Sequence, residues 1–264
     1  MTISDTVTAG KRPRFGVFAR LGELLSLTFR RRPGVFLGLG LLLFIVIPVG
    51  VVSGLGALMS VVDPEGTLTD TGIEAATIAL AVFVSLASWL LGTSVLTVVG
   101  CDELAGERRS LGAALRHSAR RLHIVFLLGL VASFLVALGS VVIGILGLWV
   151  AACFSAFMPA LVWEGRNWGA LGRSQRLTRD YRLPIMGLIV LLYLGGLALF
   201  FGSAFFIEQV PEDGSLVSDL LLSLPVLIQI ALFPVFCALP PVVHARLLAI
   251  KEADSGAELR AVFE

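Results

Sequence analysis

Glu164 and Arg173 are the pair whose types and spacing most readily suggest chemistry. The carboxylate ends an apolar run, and the guanidinium lies about two helical turns into the next stretch. A chain that turns at Gly165 lets the two pair at the membrane border and sets the angle of the following helix. A second reading takes Arg173, Ser174 and Arg176 as a cup for a lipid phosphate, because serine and arginine donors can converge on its oxygens. Arg120 and Arg121, at the end of a similar basic stretch, are candidates for the same head-group contact.

Other reactive side chains carry less. His117, His123 and His244 sit at the borders of apolar runs without an HExxH-like spacing, and read as solvated or phosphate-facing residues. Cys101, Cys153 and Cys237 are isolated, with no CxxC pair. Their odd number argues against a disulfide framework and against zinc, and each reads as a small buried apolar side chain. No metal, cofactor or catalytic residue is expected, so the chain reads as non-enzymatic.

Transport of a small solute or a lipid is the competing function. It would require ionisable residues within spans or unwound half-helices at mid-depth. Gln229 is the most polar deep residue, and Ser85, Ser88, Thr93, Ser133, Ser155 and Ser203 are lighter candidates. Such hydroxyls more often bond their own helix or pack against a neighbour. Gly34/Gly38 and Gly50/Gly54 have the small-xxx-small spacing of packed helices, read as packing inside the monomer, with a homodimer seam as the alternative.

The elements that must position these residues are membrane spans. Of 264 residues, 57% are hydrophobic and only 15% charged, with a mean hydropathy of +0.94; a soluble domain carries about a quarter of its residues as charges. The charges also cluster between long stretches that have none, as expected where a mid-depth charge costs about 2.5–3.5 kcal/mol. Spans of about 20 residues are predicted near 34–60, 75–100, 122–140, 142–163, 183–207 and 217–248. The third and fourth are joined only by Gly139–Val142 in a tight hairpin. The last holds Pro225, Pro234, Pro240 and Pro241, and is expected to kink or break. The first apolar run begins too far along, and is too long, for a cleavable signal.

Orientation follows from the basic residues. Seven Lys and Arg precede the first span, five lie between the second and third, five between the fourth and fifth, and three (Arg246, Lys251, Arg260) at or beyond the end of the sixth, which accounts for all 20. The alternate loops carry only acids, among them Asp63, Glu65, Glu208 and Asp213. The positive-inside rule then puts both termini in the cytoplasm. Each basic segment also contains a short, partly apolar stretch running into a span: Phe15–Phe29, Ser110–Arg121 and Asn167–Arg179. Ser110 and Asn167 can serve as N-caps. Along Ser110–Leu122, Leu111, Ala114, Leu115 and Leu122 share one face; on Asn167–Arg179, Trp168, Leu171 and Leu177 do. Such helices lie in the interface, apolar face down and arginine toward phosphates. The layout is three units of short helix plus two spans.

Residues 157–182 add something more specific. Phe157-Met158-Pro159 through Trp163-Glu164-Gly165, followed by Ala170-Leu171-Gly172-Arg173-Ser174 and Leu177-Thr178, resemble the membrane domain that accompanies some bacterial glycerophosphodiester phosphodiesterases and also stands alone in six-span proteins. The resemblance is specific over about 25 residues. Where that family tends to end its last span with a tyrosine and an acid before arginine, this chain has Val243, His244 and Ala245. The resemblance implies a fold more than an activity. The catalytic barrel of the phosphodiesterases needs a soluble domain for which no segment here is long enough.

The expected molecule is all-α: a polytopic bundle of about six transmembrane helices with three short interfacial amphipathic helices. Residues 1–33 form a cytoplasmic segment, 34–248 the transmembrane domain and 249–264 a cytoplasmic tail. The expected setting is a bacterial inner membrane. The expected role is accessory or scaffolding, in envelope or lipid homeostasis. Its partners would be anionic lipids, with a protein partner or homo-oligomer possible and no nucleic acid.

Overall fold

Six apolar runs form helices long enough to cross a membrane: Pro33–Leu58, Ala75–Ala105, Leu122–Val142, Gly144–Val162, Arg182–Ser203 and Leu232–Lys251. In hydrocarbon every backbone N–H and C=O must find a partner within the chain, which a helix provides along its whole interior. The structure, a computed structural model, describes residues 15–62, 71–107, 109–207, 228 and 232–251, and no strand occurs among them. The acidic segments around residues 63–70 and 208–227, Gln229, Pro225 and the tail beyond Lys251 lie outside the described residues. The chain is thus an all-α, multi-pass membrane bundle.

In chain order the helices are α1 (Val17–Ser26), α2 (Pro33–Leu41), α3 (Ile47–Val62), α4 (Thr71–Ala105), α5 (Leu111–Arg120), α6 (Leu122–Val142), α7 (Gly144–Phe154), α8 (Phe157–Val162), α9 (Ala170–Thr178), α10 (Arg182–Ile207) and α11 (Leu232–Lys251). The first span is α2 and α3 joined by a wide π-helical turn, Leu42–Val46. Pro48 accounts for it: proline lacks the N–H that Phe44 would bond and its ring crowds that carbonyl, so the preceding turn opens. Ser88 of α4 donates to the Leu43 carbonyl within this turn at 2.6 Å. The fourth span breaks at Ser155–Ala156, between α7 and α8, one turn ahead of Pro159.

From Leu232 to Lys251 the last span is continuous helix, so of the kink or break expected at its prolines no break occurs in the described part. Pro234 and Pro241 instead act as knobs. A Cβ on Gly40 would come within 2.7 Å of Pro234, and one on Gly100 within 2.8 Å of Pro241. The prolines thereby seat α11 on the first and second spans. Gly34, Gly38, Gly50 and Gly54 contribute nothing comparable: a Cβ at any of them meets no atom within 4 Å. Packing inside the monomer therefore uses other glycines than the spaced pairs. The α6–α7 hairpin turns on Ile143 alone, tighter than the expected Gly139–Val142 link, with Gly147 lying against Ser140 where no side chain fits.

The three short helices form where expected, and part of each is also buried against the spans. Ser110 caps α5, accepting from the Ala113 N–H at 3.3 Å. Asn167 caps nothing; it opens a 3₁₀ turn, Asn167–Gly169, ahead of α9. The buried faces of these helices are turned to protein. Ala114 and Ser118 of α5 are buried, with α4 as its main partner, and Leu24 of α1 is buried with α10 beside it. In α9, Ala170, Ser174, Leu177 and Thr178 are buried, and the helix packs on α7 and α8. Leu111, Leu115 and Trp168, from the faces expected to meet the membrane interface, are exposed on the bundle.

Candidate functional site

The arginine-rich ends of the spans gather in one place, where Arg32 at the start of the first span meets Glu103 at the end of the second, Nε to Oε2 2.7 Å. Glu164 is the centre of this region. After α8 the N–H groups of Trp163 and Glu164 both bond to the Pro159 carbonyl, and Arg166 N–H bonds to Ala160 O, which closes the end of the fourth span. Gly165 then takes φ +77°, a left-handed conformation that favours glycine. The space beside it is filled by the Arg121 guanidinium.

Arg173 reaches back to Glu164 as a fork, with Nε 3.1 Å from Oε2 and Nη2 3.2 Å from Oε1. His244 of α11 adds its Nε2 at 2.9 Å from Oε1. Arg166 stands further off at 3.7 Å. Burial pushes the Glu164 carboxyl up, but the hydrogen bonds and charges of Arg173 and His244 outweigh it, and the group lies below its ordinary carboxylate range. The carboxylate therefore joins three elements, the end of α8, α9 and α11.

A second carboxylate extends the cluster. His244, only 1% exposed, meets the Trp163 ring edge-on at 5.8 Å between centroids. Trp163 in turn donates its indole N–H to Asp102 Oδ1 at 3.0 Å. Arg109 Nε approaches the same oxygen at 3.5 Å, while Oδ2 of this buried aspartate has no hydrogen-bond partner among the described residues. The carbonyls that α8 leaves open are also taken: His117 Nε2 lies 2.7 Å from Val162 O, and Arg121 Nη1 donates to Leu161 O at 2.9 Å.

The predicted residues divide accordingly. Glu164 and Arg173 are brought together. Arg173, Ser174 and Arg176 do not form a phosphate cup. Ser174 is fully buried, donates to Cys153 O at 2.8 Å and accepts from Ala156 N–H at 3.2 Å, while Thr178 also reaches Cys153 O. It faces into the bundle because the break ahead of Pro159 leaves backbone groups there that need partners. Arg121 is engaged with the end of α8, and Arg120 and Arg176 remain exposed. Two of the three histidines are protein-facing rather than solvated, His117 and His244. Asp102, Trp163 and His244 were not singled out by sequence as a group. Only their positions near the ends of apolar runs hinted at them.

Among the described residues no three of His, Cys, Asp and Glu converge as metal ligands, and Cys101, Cys153 and Cys237 are free and buried. Compared with known proteins, the chain matches no family model, no curated protein and no solved structure.

Proposed function

We propose that this is a non-enzymatic multi-pass protein of a bacterial inner membrane, with both termini cytoplasmic, that contacts anionic lipid as an accessory or scaffold component in envelope or lipid homeostasis. One observation carries the reading: the arginines at one end of the bundle divide into two sets. Arg32, Arg109, Arg121 and Arg173 are engaged with protein groups. Arg30, Arg31, Arg116, Arg120, Arg176 and Arg179 are exposed and reach no carboxylate among the described residues. Exposed guanidinium groups at a bilayer surface attract anionic head groups by about 1 kcal/mol each, and a planar fork suits phosphate oxygens. The resemblance at residues 157–182 to the phosphodiesterase-associated membrane domain belongs to the same proposal. Native mass spectrometry from a mild detergent, after reconstitution with phosphatidylglycerol or with phosphatidylcholine, tests it. Retention of the anionic lipid alone supports the reading, and equal retention of both opposes it.

Transport is favoured by a different observation, the interrupted fourth span. Phe157 and Met158, directly after the break, line a cavity inside the bundle. Scrambling of a fluorescent phospholipid by proteoliposomes, absent from empty vesicles, would support that second reading.

A further inference from the structure

At mid-depth of the spans, α4, α6, α8, α10 and α11 enclose a cavity of about 440 Å³, within the size range of small-molecule sites. A second hollow of about 280 Å³ between α10 and α11 shares Tyr193, Phe233 and Phe236 with it. The walls are mostly apolar and unusually rich in rings. Trp89, Phe157, Tyr193, Phe233 and Phe236 all face the larger space. Phe233 stacks on Phe44 and Tyr193 leans on Phe236, with centroids 5.8 and 5.3 Å apart.

The polar atoms in this lining fall into two kinds. Thr93 and Thr97 donate to carbonyls of their own helix, Leu90 O and Thr93 O. Ser133, Trp89 and Tyr193 have no hydrogen-bond partner among the described residues, and each sits near the middle of its span. All three side chains are donors, and the indole is a donor only. At this depth water is scarce, and a polar group without a partner is unfavourable. Trp89, Ser133, Tyr193 and Phe233 are also exposed on the outside of the bundle, so the cavity opens sideways into hydrocarbon.

We propose that this cavity binds a neutral, membrane-dissolved molecule that combines a flat, carbonyl-bearing ring with an apolar tail, the chemistry of a prenylated quinone. The ring lies among the aromatic walls of the larger hollow, where offset or edge-on packing is favourable. Its oxygens accept from Ser133, Trp89 and Tyr193. The tail runs along Gly196, Leu197 and Phe200 in the smaller hollow. An acyl chain of bulk phospholipid fits the apolar walls but carries no acceptor at this depth, and leaves the three donors unpaired. The inference is independent of how the exposed arginines meet lipid.

The test uses the full chain in nanodiscs of synthetic phospholipid, with a photoreactive benzoquinone bearing a short isoprenoid tail. Expected is saturable labelling, about one per chain, of peptides containing Trp89, Ser133 or Tyr193. Unlabelled benzoquinone should compete and excess diacylglycerol should not. Tyr193→Phe and Ser133→Ala should each weaken binding by about two- to tenfold, the worth of one hydrogen bond. Ser133→Phe, at an exposed position, should fill the mouth and abolish binding with the melting temperature unchanged. Labelling that does not saturate, or that a photoreactive phosphatidylcholine matches, assigns the space to bulk acyl chains and overturns the proposal. Saturable binding indifferent to all three variants also overturns it.

Discussion

Glu164 accepts from two helices at very different distances along the chain, from Arg173 nine residues later and from His244 eighty residues later. With its side chain only 12% exposed, the carboxylate is screened weakly, and hydrogen bonds to an ionised group of this kind contribute about 1.5–3 kcal/mol. Glu164→Gln should therefore lower stability by about that amount, read as melting temperature in detergent, without preventing insertion, which depends on the apolar runs. The same residue predicts a pH dependence. Its pKa in the folded protein lies below the ordinary 4.5, so ionisation favours folding. That contribution is complete above the unfolded value and is lost as pH falls through the lower, folded one. The melting temperature should drop as pH is taken below about 4.5, and Glu164→Gln should flatten that part of the curve. An unchanged acid slope in the variant would assign the effect to other carboxylates.

Helices are where sequence and structure agree most closely, because length and hydropathy dictate a span irrespective of its neighbours. All six spans, and the three short helices ahead of the odd-numbered ones, were legible. Proline consequences were legible in kind but not in place. Pro48 opens a π-helical turn and Pro159 breaks the fourth span, whereas Pro234 and Pro241 fit into space at Gly40 and Gly100 and leave the last helix intact. Which of these a proline does depends on what faces it, and that is a tertiary matter. The same reason hid the polar cluster. Asp102, Trp163 and His244 lie in or just beyond three different spans, and no local spacing links them. Ser174 shows how α9 repairs the break: its hydroxyl takes up both Cys153 O and Ala156 N–H. Ser174→Ala should leave Ala156 N–H without a partner and Cys153 O with Thr178 alone, and cost about 1–3 kcal/mol, measured as a fall in melting temperature. Trypsin cleavage within the basic stretch of α9 should rise with it. Wild-type values in this variant would mean that the break is held by other contacts.

For the whole molecule, the short helices bind the three units together. Each leans on a unit other than its own: α5 on α4 of the first, α9 on α7 and α8 of the second, and α1 on α10 of the third. Lys251 at the end of the last span donates to Arg176 O in α9, which adds a tie at the same end. The result is a set of arginine-bearing helices at the ends of the spans, each tied to a neighbouring unit. Its inward arginines are engaged with protein groups and its outward ones are unpaired with carboxylates among the described residues. This division of labour is tested by a pair of variants compared by retained lipid and melting temperature together. Replacing Arg116, Arg120, Arg176 and Arg179 by Gln should remove retained phosphatidylglycerol while leaving the melting temperature nearly unchanged, since surface charges of this kind contribute little to folding. Arg121→Gln, which uncaps Leu161 O, should lower the melting temperature while lipid retention by the folded fraction persists. Retention that survives the fourfold variant, or that is lost only in Arg121→Gln, would contradict the account.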